Sequence, residues 1–369
     1  MNHPEKIPPP LTRRIDLNVG YSCNIKCRFC YYINDVRARQ RDKDLTTVQC
    51  KRLIDRLRAE GMEALDITGG EPTIRPDLFE LVSYARDAGF ARIAVITNGI
   101  RLANLAYAKE LVAAGVNDFL FSLHGSSAAS HDFVTCVGGS YDLLLKAIRN
   151  LLGLSVKVRC NSVVTGSNIH DVYARAQLVR ELGIVTLNFI IFNPIEQAKG
   201  SSAENFLRYS DAAVPLKRAI DDLGPDFKKF TVRYMPFCLM KGYEAHLQNV
   251  HQVHYDHDEW NYLLRARIRE PYWKWLGGLA VGYGALPAKA RWARWGTDHT
   301  LHAAILEAHS RLNKCRPGAC RGCAYAFICG GVWKEYARRF GAGELTAHHG
   351  PLIVEPWHFM TNSQRAVEA

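Results

Sequence analysis

The sequence predicts an α/β protein built on a parallel sheet, on three observations. Short β-like runs alternate with helix-patterned segments through the first half of the chain, two of those runs (RIAVIT and DFLFSL) are almost continuously apolar, and the first helix opens on a capping box. Strands that alternate with helices return beside their predecessors by right-handed crossovers, and a sheet covered on both faces needs strands without a polar side.

In chain order, after Pro8-Pro9-Pro10, six strands are expected at Arg14 to Gly20, Ala64 to Thr68, Arg92 to Thr97, Asp118 to Leu123, Lys157 to Val164 and Thr186 to Phe192. Helical patterns fill the gaps at about 46–60, 77–88, 102–114, 140–152 and 170–182, and Thr46 with Gln49 has capping-box spacing. Alternation alone does not separate an open doubly wound sheet from a barrel or partial barrel. Both carry function on loops at the carboxyl ends of strands. From about residue 195 the rhythm stops, and Ile195 to Asp226 reads as loop plus one or two helices without a strand partner. Residues 251–298 hold five of the seven tryptophans, interleaved with Arg265, Arg267, Arg269, Lys274, Arg291 and Arg294. That pattern reads as a stacking platform for bases or as amphipathic helices with snorkelling arginines; the second reading is preferred.

At roughly 150 residues per domain, 369 residues make two or three domains or one barrel with an appendage. A chain that is 48% hydrophobic and 22% charged is not disordered, collagen-like or coiled-coil as a whole. The opening MNHPEKIPPPLTRR has no apolar signal region, and the least polar stretch, Leu276 to Leu286, is eleven residues with four glycines, too short to span a bilayer. A soluble, cytoplasmic protein without a membrane partner is expected. The net charge of +11 favours anionic partners without naming one. Eleven cysteines in a cytosolic chain point to metal or redox chemistry, because that compartment keeps thiols reduced.

Directly after the first strand stands Tyr21-Ser22-Cys23-Asn24-Ile25-Lys26-Cys27-Arg28-Phe29-Cys30-Tyr31-Tyr32, a CxxxCxxC loop. Structural zinc wants four closed ligands, so three thiolates with no neighbouring fourth fit better a 4Fe-4S cube with one iron open. After the second strand comes Gly69-Gly70-Glu71-Pro72. Glycines there allow close backbone approach to a ligand, and a carboxylate or carbonyl at a strand end accepts hydrogen bonds from an ammonium.

Together CNIKCRFC and GGEP resemble the radical S-adenosylmethionine (SAM) superfamily. The resemblance implies a partial (β/α)6 TIM-like barrel over 14–195 and a cluster on Cys23, Cys27 and Cys30. Its free iron would be chelated by SAM, which one electron cleaves to a 5′-deoxyadenosyl radical. It also implies that the Gly69, Gly70 and Glu71 turn meets the methionine amino group. Thr97, Asn98, Ser122 and Asn161 would then contact the ribose or the methionine carboxylate, and Phe29 and Tyr31 would lie near the adenine. As plain residues, each of the polar ones is also a satisfied turn or cap residue. His124, two residues past Ser122, reads as a packing residue in preference to a proton donor.

A second cysteine group, Cys315-x4-Cys320-x2-Cys323-x5-Cys329, precedes Gly330-Gly331. Cys320, Cys323 and Cys329 resemble the auxiliary-cluster extensions called SPASM or twitch, and imply a small C-terminal iron-sulfur domain over 299–345 after a connecting region over 196–298. Gly331, Val332 and Trp333 stand where a full SPASM sequence would continue with cysteines, so one auxiliary 4Fe-4S cluster is expected. Its fourth ligand is Cys238, in MPFCLMKGYE at the end of a candidate strand, or Cys315, or the iron is left open for substrate. Cys238 is preferred, and zinc is the alternative metal. Cys50, Cys136 and Cys160 read as buried small hydrophobes.

The resemblance thus implies an enzyme that abstracts hydrogen from an unactivated carbon and oxidatively modifies or crosslinks a ribosomal peptide or small natural-product precursor. An electron donor such as flavodoxin or ferredoxin would serve it. About a dozen residues precede the first strand, so no peptide-recognition domain is expected there. The alternatives are an RNA-modifying member, which the charge and the Trp/Arg segment favour, and a non-catalytic iron-sulfur or zinc protein that binds nucleic acid.

Overall fold

The computed structural model describes residues 9–30, 44–193, 203–260 and 297–361. Its sheet contains β1 (Arg14–Asn18), β2 (Ala64–Thr68), β3 (Arg92–Thr97), β4 (Asp118–Ser122), β5 (Lys157–Val164), β6 (Thr186–Ile191), β7 (Lys229–Arg233) and β8 (Leu247–Gln248), in that order. From β1 to β6, and between β7 and β8, neighbouring strands pair in parallel: Leu17 stands opposite Ile67, Ile67 opposite Val95, Val95 opposite Phe119, and Asn161 opposite both Ser122 and Asn188.

The crossover helices are α1 (Thr47–Ala59), α2 (Leu78–Asp87), α3 (Leu105–Ala114), α4 (Ala128–Thr135), α5 (Ser140–Leu152), α6 (Val172–Glu181) and α7 (Tyr209–Leu223). The Thr46 capping box forms: its hydroxyl accepts from Gln49 N at 3.3 Å and its own N–H donates to Gln49 Oε1 at 2.9 Å. Leu65, Ile67, Ile93, Val95, Phe119 and Phe121 are all essentially solvent-free, as a doubly covered parallel sheet requires.

The first six strands lie where the sequence places them. Two more follow. KFTVR of β7 lies just before MPFCLMKGYE, where the sequence offers a candidate strand; it begins and ends on a cation, yet all five of its residues are buried. Helix α4 also lies outside the expected set, because AASHDFVT is short and carries little apolar periodicity.

The chain divides into two compact units. One comprises residues 13–192 and 197–231; the other comprises 1–12, 193–196 and 232–369. The described residues 203–231 fall in the same unit as the strands that precede them. Most of the tryptophan- and arginine-rich stretch, 261–296, lies outside the described residues. Among the described residues no helix is long and apolar enough to cross a membrane.

At the amino ends of the strands the first unit holds a buried ion cluster. Asp118, the first residue of β4, accepts from Arg159 Nε at 2.8 Å, Arg92 Nε at 2.9 Å and Arg14 at 3.4 Å, and Arg14 also forks onto Asp66 at 2.8 and 2.5 Å. Strand-start faces of such sheets serve stability, whereas the carboxyl ends carry chemistry.

Candidate functional site

At the carboxyl ends, the loop after β1 carries Cys23, Cys27 and Cys30, of which Cys23 is exposed and the other two half-buried. Neighbouring turns fix that loop at several points. Asp44 Oδ1 accepts from the N–H groups of Tyr21 and Ser22 at 2.7 and 3.2 Å. Lys26 N and Arg28 N donate to the carbonyls of Thr135 and Val134 at the end of α4, at 3.1 and 2.9 Å. The Arg28 guanidinium lies 4.0 Å over the Phe133 ring, and Asn205 donates to the Arg28 carbonyl at 2.9 Å.

The GGE turn belongs to the same clamp. Gly70 N donates to Gly20 O at 2.9 Å and Glu71 N to Ser22 O at 2.8 Å. A Cβ on Gly69 would stand 2.4 Å from Gly20 O, and one on Gly70 2.1 Å from Ser22 O, so glycine is required at both positions. The close approach expected toward a ligand is thus made to the backbone of the cysteine loop. The Glu71 carboxylate is 3% exposed and accepts four hydrogen bonds: from Thr73 N, Thr73 Oγ1 and Thr97 Oγ1 at 3.0, 2.6 and 2.7 Å, and from Asn98 N at 2.7 Å. Burial raises its pKa and those donors pull it back.

Thr97 and Asn98 are equally committed. Thr97 Oγ1 also accepts from Gly99 N at 3.0 Å, while the Asn98 amide donates to Asn24 Oδ1 at 2.7 Å and its oxygen accepts from Ile100 N at 3.1 Å. Asn24, between the first two cysteines, was not singled out from sequence; a polar residue inside a cysteine loop carries no distinguishing pattern. Ser122 is half-buried beside Asn161 in the next strand. Asn161 Oδ1 accepts from Asn188 Nδ2 at 2.9 Å, and Thr231 donates to Asn188, which extends a polar row across β5, β6 and β7. Asn188 and Thr231 were likewise missed, although a lone amide inside TLNFII was the available signal.

Phe29 meets His124 edge to face at 4.8 Å, and His124 stacks on His131 at 6.0 Å. His124 Nδ1 faces Val163 N at 3.3 Å, and burial holds both imidazoles below the ordinary histidine range, His131 at about 4. His124 is therefore a neutral hydrogen-bonding residue at neutral pH. Tyr31 lies outside the described residues.

The second unit gathers the other cysteines. A cavity of about 370 Å³, including its mouth, is lined by Cys238, Cys320, Cys323 and Cys329 with Arg316, Tyr325 and Thr346 among others. Cys238 comes from the turn Phe237–Met240, Cys320 from Gly318–Cys320, and Cys329 ends α8 (Ala326–Cys329). Cys315 is not among the lining residues. It sits in β9 (Lys314–Cys315), antiparallel to β10 (Val332–Trp333), where a Cβ on Gly331 would be 2.3 Å from its carbonyl.

Both cysteine sets suit iron-sulfur ligation. Amide N–H groups approach sulfur at each: His348 N donates to Cys323 Sγ at 3.4 Å, a Thr346 amide serves Cys238, and the amides of Ile25 and Asn24 serve Cys23. Burial pushes the Cys320 thiol up to about 11, and neighbouring thiols add to the rise. Loading metal there releases protons. Among the described residues no three His, Cys, Asp or Glu side chains converge on a single metal ion, so the four thiols surround a space rather than a point.

Residues 17–189 match the family model described as the radical SAM superfamily. The AdoMet-dependent heme synthase of Nitratidesulfovibrio vulgaris is 30% identical over 193 residues, 52% of this chain and 52% of that protein. Mycofactocin maturase MftC of Mycobacterium tuberculosis is 34% identical over 164 residues, 44% of this chain and 40% of that protein. Among solved structures, Streptococcus suis SuiB bound to precursor peptide SuiA aligns with a TM-score of 0.47 and 17% identity, over 57% of this chain and 45% of that one. The chain spans about half the length of the curated relatives it matches. With its cysteine loop clamped at the carboxyl ends of a sequentially ordered parallel sheet, the chain carries a radical SAM superfamily domain over residues 17–189.

Proposed function

We propose that this protein binds SAM at a 4Fe-4S cluster held by Cys23, Cys27 and Cys30, and uses a second cluster in oxidative modification or crosslinking of a peptide or small natural-product substrate. The observation that carries the reading is the second cysteine set: Cys238, Cys320, Cys323 and Cys329 lining one cavity in a chain that already has a three-cysteine loop. When bound and reduced, the first cluster supplies the electron that splits SAM into methionine and a 5′-deoxyadenosyl radical. The chain's own part is placement. The turns of Asp44, Gly69 to Glu71 and Asn98 hold the cysteine loop, and the Ser122, Asn161, Asn188 and Thr231 row presents polar groups near the strand ends. Phe29, held edge-on to His124, offers an apolar face for the adenine.

The peptide reading draws on the mycofactocin maturase, at 34% identity. A small-molecule substrate draws on the heme synthase and on the probable GTP 3′,8-cyclase of Saccharolobus islandicus, at 28% identity. A flavodoxin or ferredoxin would deliver the electron.

Two tests separate the parts of this proposal. Anaerobically reconstituted protein is expected to hold about eight irons per chain and to release 5′-deoxyadenosine from SAM on reduction; no nucleoside release rejects the enzymatic reading. Cys238→Ala is expected to lower iron to about four per chain, while Cys315→Ala leaves it unchanged. The reverse pattern would assign the fourth ligand to Cys315.

A further inference from the structure

We propose that Lys314 is the counter-charge of the second cluster and sets its reduction potential. The inference rests on the reading that Cys238, Cys320, Cys323 and Cys329 hold a 4Fe-4S cube.

Lys314 opens β9 and is only 5% exposed. The β9–β10 register puts Trp333 opposite it, and the ammonium lies 5.0 Å over the indole ring. On its other side is the residue that follows Cys329. The point where a Gly330 side chain would begin stands 3.6 Å from Lys314 Nζ and 3.4 Å from Ser310 Oγ. The absence of a side chain at Gly330, held at φ +70°, leaves the ammonium against the backbone of the Cys329 turn.

Arg316, two residues along, is the contrasting case. It lines the cysteine cavity, but Glu307 accepts its guanidinium at 3.1 and 3.2 Å and the Ala326 carbonyl accepts Nε at 2.8 Å. Its charge is already met. The Lys314 ammonium makes no hydrogen bond or ion pair among the described residues, and Ser310 Oγ beside it has no hydrogen-bond partner.

A buried ammonium without an anion is costly. A cube on four thiolates is a net anion in both oxidation states and gains one further negative charge when it takes up an electron. A fixed cation beside one ligand therefore stabilises the reduced form more than the oxidised form, and raises the potential. The aromatic face of Trp333 holds the charge in place while adding only part of a counter-ion's compensation.

The test uses the full chain with Cys23, Cys27 and Cys30 replaced by alanine, so that only the second cluster is read. The protein is titrated with dithionite and followed by electron paramagnetic resonance. Lys314→Met is expected to leave about tenfold less of the cluster reduced at a fixed solution potential, a midpoint lower by about 59 mV for a one-electron couple. Lys314→Arg is expected to restore most of the shift. Unchanged midpoints with iron retained overturn the proposal while the cluster stands. A background protein that binds no iron overturns the cluster reading and this proposal with it. Should Lys314→Met lose its iron, Lys314→Gln and Lys314→Arg decide: loss in both neutral variants with retention in the arginine variant supports the counter-charge, and loss in all three overturns it.

Discussion

Asp118→Ala is expected to be among the most damaging single substitutions in the first unit, at about 3–5 kcal/mol of stability. One carboxylate there faces three guanidinium groups, from Arg159, Arg92 and Arg14, and its own side chain is 1% exposed. Breaking a buried ion group by removing one partner is expensive because the remaining charges stay out of water. Burial alone would raise the Asp118 carboxyl, but Arg159, Arg14 and Arg92 together outweigh it and hold the group well below its ordinary 3.8. A carboxyl depressed by folding adds stability at pH above the unfolded value and loses it as pH falls through that value toward the folded one. Urea denaturation should therefore give a constant gap between wild type and Asp118→Asn at neutral pH, narrowing below about pH 4. A gap that does not change down to pH 3 would mean that the ion cluster is not what Asp118 contributes.

How much of this was legible in the sequence depends on what each residue has to distinguish. Strands β1 to β6 were legible because a doubly covered strand must be apolar throughout, and RIAVIT or DFLFSL admits few other readings. The first and last residues of β7 are cations that the fold buries, Arg233 to 1% exposure, so no apolar run marks its bounds. Both cysteine groups were visible from spacing. Spacing alone does not separate Cys238 from Cys315; in the fold the turn at 237–240 brings Cys238 to the cavity, and Cys315 is not among its lining residues. GGE was the most ambiguous motif. Two glycines and a carboxylate after a strand look the same in sequence whether they face a ligand or a neighbouring loop. The four donors converging on Glu71 show what its carboxylate does within the fold, which the motif alone does not.

Those four donors make Glu71 the second large prediction. Its carboxylate joins three elements: its own turn through Thr73, the end of β3 through Thr97, and the following loop through Asn98, whose amide in turn holds Asn24 between Cys23 and Cys27. Glu71→Ala leaves these donors without an acceptor in a site that is 3% exposed, at about 1–3 kcal/mol for each that finds no other partner. Glu71→Gln is milder but not neutral. Three of the bonds fall on Oε1 and one on Oε2, so an amide keeps most of them with its oxygen at Oε1 but then points its NH2 at the Asn98 N–H. The expected order of stability is wild type, then Glu71→Gln, then Glu71→Ala. Because Asn98 steadies the cysteine loop, both variants should also lose iron selectively from the proposed first site, while iron lost by Cys320→Ala with Cys323→Ala stays present in them. Equal iron in wild type and Glu71→Ala would show that the loop keeps its shape without the carboxylate.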